Sequence, residues 1–267
     1  MLIGLATMLL GMELGTSERV AAVRWATPNL AALLAIIIGS LLDGGARTAM
    51  WLLAVAITFG AMVAAGRGEW IIRTGLFAER HALIVIVALG EVIVALGVPV
   101  VNALEEVGGV PGSTVVALVA SGVFAGLLWW GYFDRPAPAL EHRAEQIEGG
   151  NARGRFVRDV YTWGHAPFVA GVILSAAALE EIALHPNDPV HVEFRLMLFG
   201  GLVLMAVSVT ANIWRAFRAV PYERLVALGV AAAMLLPAID VAGIVLLIVL
   251  DLLLLITLVV ENQRVEH

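Results

Sequence analysis

The stretch Phe77–Gly97, FAERHALIVIVALGEVIVALG, decides the fold. A charged triplet, Glu79-Arg80-His81, opens it, and the apolar run that follows is broken only by Glu91. About 20 such residues suffice to cross the ~30 Å hydrocarbon core of a bilayer as one α-helix. A carboxylate near the middle of that helix costs at least ~2.5 kcal/mol to insert, so it is expected to face protein or water and to be functional. The other reading is a protonated Glu91 that donates a hydrogen bond to a neighbouring helix and serves packing alone.

The whole composition agrees with a membrane chain. Hydrophobic residues make up 61% and charged residues 14% of the 267, against roughly 45–50% and ~25% in soluble domains. Mean hydropathy is +0.94. The chain has no Cys, which excludes disulfides and thiol chemistry. All 16 basic residues are Arg, which excludes a Schiff-base or phosphate-loop lysine. No basic tract points to nucleic acid, and no pattern points to a cofactor.

An all-α, polytopic transmembrane helix bundle is expected, as a single integral membrane domain over residues 1–267. Its apolar runs place spans at about 25–42, 48–65, 81–104, 114–133, 159–182, 196–214, 222–239 and 241–260, after a partial span at 1–12. The partial span lacks the basic start and cleavage site of a signal peptide. Between Asp134 and Arg158, Leu140, Ala144 and Ile147 recur at helical spacing, so a short amphipathic helix is expected there. Gly90 and Gly97, with Ala88 and Ala95 at the same interval, predict close helix approach and a central place for the span at 81–104.

Arginine sets the orientation. Fourteen of the 16 fall on alternate links, and only Arg47 and Arg195 lie on the others. By the positive-inside rule the Arg-rich links are cytoplasmic, which puts the C-terminus inside the cell. Tyr132, Tyr161, Tyr222, Trp129, Trp130, Trp163 and Trp214 fall at the same ends, where amphipathic rings sit well. Acidic residues such as Glu105, Glu106, Glu180 and Glu181 collect at the other end. They are either merely tolerated there or form a mouth that concentrates cations.

Three pieces carry a family resemblance: Phe77-Ala78-Glu79-Arg80 with Leu89-Gly90-Glu91; Leu128-Trp129-Trp130-Gly131-Tyr132-Phe133-Asp134; and Tyr161-Thr162-Trp163-Gly164-His165, running on to Glu180-Glu181 and His185-Pro186. Together they resemble the bacterial low temperature requirement A family, LtrA, a group of polytopic membrane proteins. Val92 stands where that family's pattern implies a small polar residue. The chain resembles the C-terminal part of such a protein. The resemblance implies an architecture and no established biochemical activity.

Counting 1.5 Å per residue from the span starts puts Glu91 ~15 Å deep and His165 ~9 Å deep on parallel helices, close enough to meet directly or through one water. Such a pair would relay protons. The alternative for His165 is a bond to a carbonyl that Pro167 frees. Asp251, mid-span at about Glu91's depth, either shares a proton with Glu91 or is a lone acid in a peripheral helix. Glu79, Arg80, Asp134 and Asp159 are read as ion pairs and caps, or as an inner gate. His185, Asp188, His191 and Glu193 match no established zinc spacing, so no metal is assigned.

The leading functional expectation is a transporter or channel for protons or a small cation, working through a buried carboxylate. The alternatives are a non-catalytic membrane component that supports growth in the cold and, more weakly, an intramembrane enzyme acting on lipid. Expected partners are membrane lipids, a proton or small cation, and a second copy or a chain supplying further N-terminal helices.

Overall fold

The computed structural model describes residues 16–65, 74–235 and 241–265. The expected partial span at 1–12, the link around Arg67 and Arg73, and the turn around Asp240 lie outside them. Among the described residues the chain is helical, and its one β-bridge joins Pro189 to Ala242. Six helical stretches among the described residues are long and apolar enough to cross a membrane: Gly44–Ala61, Thr74–Glu106, Gly112–Gln146, Ala152–Leu184, Val192–Phe217 and Gly243–Arg264.

Contacts group the chain into two compact units, divided after Trp70. The first is a hairpin of α1 (Thr16–Ser40) and α2 (Gly44–Ala65). Its turn needs a left-handed residue, which Gly44 supplies at φ 57°. Arg47 closes it, donating to the Leu42 carbonyl at 2.8 Å and to the Asp43 carboxylate at 2.6 Å. Ala32, Ala35 and Ala54 let the two helices meet. A Cβ on Gly39 would lie 2.7 Å from the Trp51 ring, so that approach requires glycine.

The second unit holds α3 (Thr74–Ala95), α4 (Gly97–Val107), α5 (Gly112–Phe133), α6 (Pro136–Gln146), α7 (Gly150–Val157), a π-helical turn (Arg158–Trp163), α8 (Gly164–Leu184), α9 (Val192–Phe217), α10 (Tyr222–Leu235) and α11 (Gly243–Val265). The punctuation follows the sequence. α4 ends on Gly108 in the left-handed region at φ 72°. α6 starts with Pro136, whose missing N–H costs nothing at a first helical position. The amphipathic pattern of the link becomes α6, which buries Leu140 and Ala144 against Phe156, Val157 and Tyr161. At the opposite end, the Gly243 and Ile244 amides donate to the Asp188 and Pro186 carbonyls at 2.9 and 3.0 Å, tying α11 to the α8–α9 loop.

The central helix is α8, not the span at 81–104. α8 packs on α3, α5 and α9, and it buries most of its surface, from His165 and Phe168 to Leu179 and Ile182, leaving exposed the narrow stripe of Ala170, Ile173 and Ala177. A Cβ added to Gly90 or Gly97 meets nothing within 4 Å, so the close approach expected there is not formed. It occurs instead between α8 and α9, where a Cβ on Gly171 would sit 2.5 Å from the Gly201 carbonyl oxygen. A Cβ on Gly201 would strike the Ser175 hydroxyl. Small residues at such crossings let backbones touch where no hydrophobic force separates helix from lipid. The outer faces are aliphatic, as Leu52, Val87, Val119, Val226 and Ile256 show.

Gly201→Ala is therefore expected to destabilise the protein by about 1–3 kcal/mol through overpacking. A methyl added to its neighbour Gly200 meets only open space, so Gly200→Ala is expected to be neutral or to add up to ~1 kcal/mol of helix propensity. Paired thermal unfolding in one detergent checks this; equal midpoints would remove the Gly171–Gly201 crossing as a determinant of stability.

Candidate functional site

The π-helical turn begins the site. Its wider register sends the Gly164 amide to the Asp159 carbonyl, which leaves the Val160 carbonyl in reach of a side chain. His165 Nδ1 takes it at 3.0 Å. The proton on Nδ1 is thereby assigned, because a carbonyl only accepts. Nε2 is left as an acceptor, and the Tyr132 hydroxyl donates to it at 2.5 Å. Both side chains are buried, with 3% of each residue exposed. The carbonyl that holds His165 is thus offered by the π turn and not directly by Pro167. Single π turns inside α-helices recur at functional positions.

Three more rings complete the cluster. Tyr161 stacks on His165 with centroids 5.4 Å apart and planes 19° apart. His81, from α3, lies 5.5 Å from His165 and 5.5 Å from Tyr161. Its Nδ1 donates to the Phe77 carbonyl at 2.8 Å, one turn back, and its ring stacks on Phe77 at 4.6 Å. In its neutral form His81 therefore presents Nε2 as an acceptor. The Tyr161 hydroxyl is buried and has no hydrogen-bond partner among the described residues. α3, α5, the π turn and α8 thus bring two imidazoles and two phenols together. Such a set can accept, hold and pass a proton.

Glu91 is not part of this set. It lies on the exposed side of α3, in line with Val87 and Val94, which are 74% and 69% exposed. It makes no hydrogen bond or ion pair to any described residue. The expected Glu91–His165 pair is therefore not formed, and the reason is one of height as well as side. His165 sits beside His81, ten residues from Glu91 along α3 or ~15 Å at helical rise. The helix leading to His165 starts upstream of Asp159, through α7 and the π turn, so counting from Asp159 places His165 too deep.

Asp251 behaves in the opposite way. It is 7% exposed, and its Oδ1 has no partner among the described residues. α11 runs parallel to α5 in a register that two contacts fix: Gly131 lies against Leu258, and Arg135 donates to the Asn262 carbonyl at 3.0 Å. One heptad back, Asp251 falls on the stripe facing α5 at the level of Phe124. That is ~12 Å along α5 from Tyr132. α11 also packs on α10 and α8, so it is not peripheral. Asp251 makes no bond to Glu91.

The remaining candidates sit at the Arg-rich end. Asp159 is within 2.9 Å of Arg158 and 3.3 Å of Arg215, and it joins the π turn to α9. Asp134 lies 3.6 Å from Arg135. Glu79 and Arg80 are exposed on α3. His81, Tyr132, Tyr161 and Phe77 were not among the sequence-derived site residues. The signal for them was spacing: Phe77 and His81, and Tyr161 and His165, are each four apart and so share a helix face.

The model of the family described as bacterial low temperature requirement A protein (LtrA) matches residues 1–260, well beyond the Phe77–Pro186 stretch that carries the resemblance. An uncharacterized protein of Rhizobium meliloti (strain 1021) is 26% identical over 240 residues, which cover 86% of this chain and 57% of that protein. The chain thus spans little more than half the length of that relative. No solved structure matches it. With the family matched over nearly its whole length and six stretches able to cross a membrane, this chain belongs to the bacterial low temperature requirement A family and is an integral membrane protein.

Proposed function

We propose that the protein is a proton-linked transporter or channel of the bacterial inner membrane, with its Arg-rich end and C-terminus in the cytoplasm. The observation that carries this reading is the buried Tyr132–His165 hydrogen bond beside His81. A buried imidazole and two buried phenols in contact with a second, part-buried imidazole across three helices are costly to keep for packing alone, since apolar rings would fill the same space without desolvating polar atoms. In this reading a proton enters from the Arg-rich end at His81, and the Tyr132–His165 pair holds it. Asp251 is the second station, deeper in the bundle. Glu79, Arg80, Asp134 and Asp159 form the inner rim.

A second reading has its own support. A carboxylate on an exposed apolar stripe is poorly placed against lipid, so Glu91 favours a neighbour: a second copy, or another chain whose helices cover α3. The protein would then be a membrane component acting through assembly, in line with a role in growth in the cold.

Two measurements separate these readings. In proteoliposomes under an imposed pH gradient, His165→Gln and Asp251→Asn are expected to slow proton flux at least ~10-fold, or ~1.4 kcal/mol in barrier. Tyr132→Phe is expected to slow it less, and Glu91→Gln to leave it unchanged, with each variant monodisperse in detergent. Unchanged flux in folded His165→Gln would remove the relay, and absence of flux in every protein would remove transport as a property of this chain.

The absence of native Cys allows a clean test of assembly. Val87→Cys or Val94→Cys is expected to cross-link between copies in membranes, while a cysteine at the buried neighbour Ala88 is not. Lack of cross-linking at both exposed positions would rule out a second copy on this stripe.

A further inference from the structure

A narrow groove, about 90 Å3 in volume and open to the outside along part of its length, lies among α5, α8, α9, α10 and α11. Its walls are aliphatic, with Leu202, Met205, Ala231 and Leu250 among them. The polar side chains lining it are Arg224 and Thr257, both towards the Arg-rich end of their helices. Arg224 and Ala231 are seven residues apart on α10, so the apolar part runs at least ~10 Å beyond the arginine. At that end the groove continues into a shallow recess, which shares Gly131, Arg224 and Leu258 and adds Asp134, Arg135 and Glu261. A pocket that is apolar along its length and polar at one end fits an amphiphile lying head outward.

The charges at the mouth select the head. Arg224 Nε donates to both Glu261 carboxylate oxygens at 3.2 and 3.0 Å, and its Nη2 donates to the Gly131 carbonyl at 2.8 Å. Arg135 lies 3.6 Å from Asp134. Two cations thus face two anions, and the mouth has no net charge left to attract an ion. Hydrogen-bonding capacity does remain. Arg224 Nη1 donates to no described residue, and the Thr257 hydroxyl, whose proton goes to the Leu253 carbonyl at 2.7 Å, keeps a lone pair. An anionic head would set a second negative charge beside Glu261, whereas a hydroxyl or ester oxygen accepts from Arg224 without that repulsion.

We propose that this cavity binds an amphiphile with an aliphatic chain and an uncharged, oxygen-bearing head, of the monoacylglycerol class. The chain lies between Leu202, Met205, Ala231 and Leu250, and the head meets Arg224 and Thr257. This site does not depend on the proton-transport reading, because no group of the histidine cluster contacts the head.

The test is photolabelling of the whole detergent-purified chain with a monoacylglycerol that carries a diazirine near the end of its chain, mapped by peptide mass spectrometry. Adducts are expected on α9, α10 and α11 at the cavity walls, competed by 1-oleoylglycerol and roughly tenfold more weakly by oleate, or ~1.4 kcal/mol in affinity. Ala231→Trp and, separately, Met205→Trp fill the space and are expected to abolish the wall adducts. Whichever variant stays monodisperse decides the test. Adducts confined to the exposed stripe of α3, or wall adducts that persist in a folded filled variant, would overturn the site. Oleate competing as well as 1-oleoylglycerol would overturn the assignment of an uncharged head.

Discussion

The crossing of α8 and α9 sets the position of everything in the candidate site. Gly171 and Gly201 bring two backbones into contact, and side chains lock the register on one side of that contact. The Ser208 hydroxyl donates to the Gly164 carbonyl. Any side chain on Gly164 would strike Asn212. Gly164 is also where the π turn ends, so the register that positions α8 holds the turn open as well. Inside a bilayer no water is at hand to satisfy a carbonyl released by a widened turn. His165 does so with its Nδ1 proton, and its other nitrogen is thereby committed as an acceptor. The tautomer of one imidazole thus follows from a glycine contact about two turns away.

Two intramembrane acids differ in fate because their helices differ in place. α3 has a free side, and Glu91 falls on it between Val87 and Val94. α11 is held between α5 and α10, and Asp251 falls on the side that meets α5. The same residue class at similar depth is therefore exposed on one helix and sequestered on the other. Desolvating a carboxylate without a partner costs several kcal/mol, so each arrangement calls for something besides the side chains packed around it within this unit: a neighbour over α3, and a proton, water or cation at Asp251.

The long apolar helices are legible in the sequence because length and apolarity alone mark them, and Pro or Gly punctuation marks several of their ends. Faces are not legible in the same way. α3 is apolar almost all round from His81 to Ala95, so no amphipathic contrast tells which side of it meets protein. Ala88 and Val92 turn inward and Glu91 outward, and only tertiary packing decides that. Heights fail for a second reason. Counting from span boundaries treats the starts of two helices as level, whereas α7 and the π turn extend the path to His165 upstream of its apolar run. What the sequence does carry is the two four-residue pairs, Phe77–His81 and Tyr161–His165. Each is a local fact about one helix face, and their meeting needs the fold.

Phe168 stands between the two features of the bundle interior. Its ring lies 5.3 Å from that of Tyr132, and it also lines the aliphatic cavity. The Tyr132 hydroxyl is committed to His165, so the phenol cannot rotate away without leaving a buried acceptor bare, at a cost of about 1–3 kcal/mol. Phe168 carries no such tie. It is the wall of the cavity that can change its packing against the cluster at low polar cost, because only dispersion contacts hold it there. An occupant that presses on Phe168 would therefore act on Tyr132 through ring packing, while the hydrogen bond to His165 resists. The contact between Phe168 and Tyr132 thus gives coupling between the cavity and the proton-holding pair a direct route through packed rings.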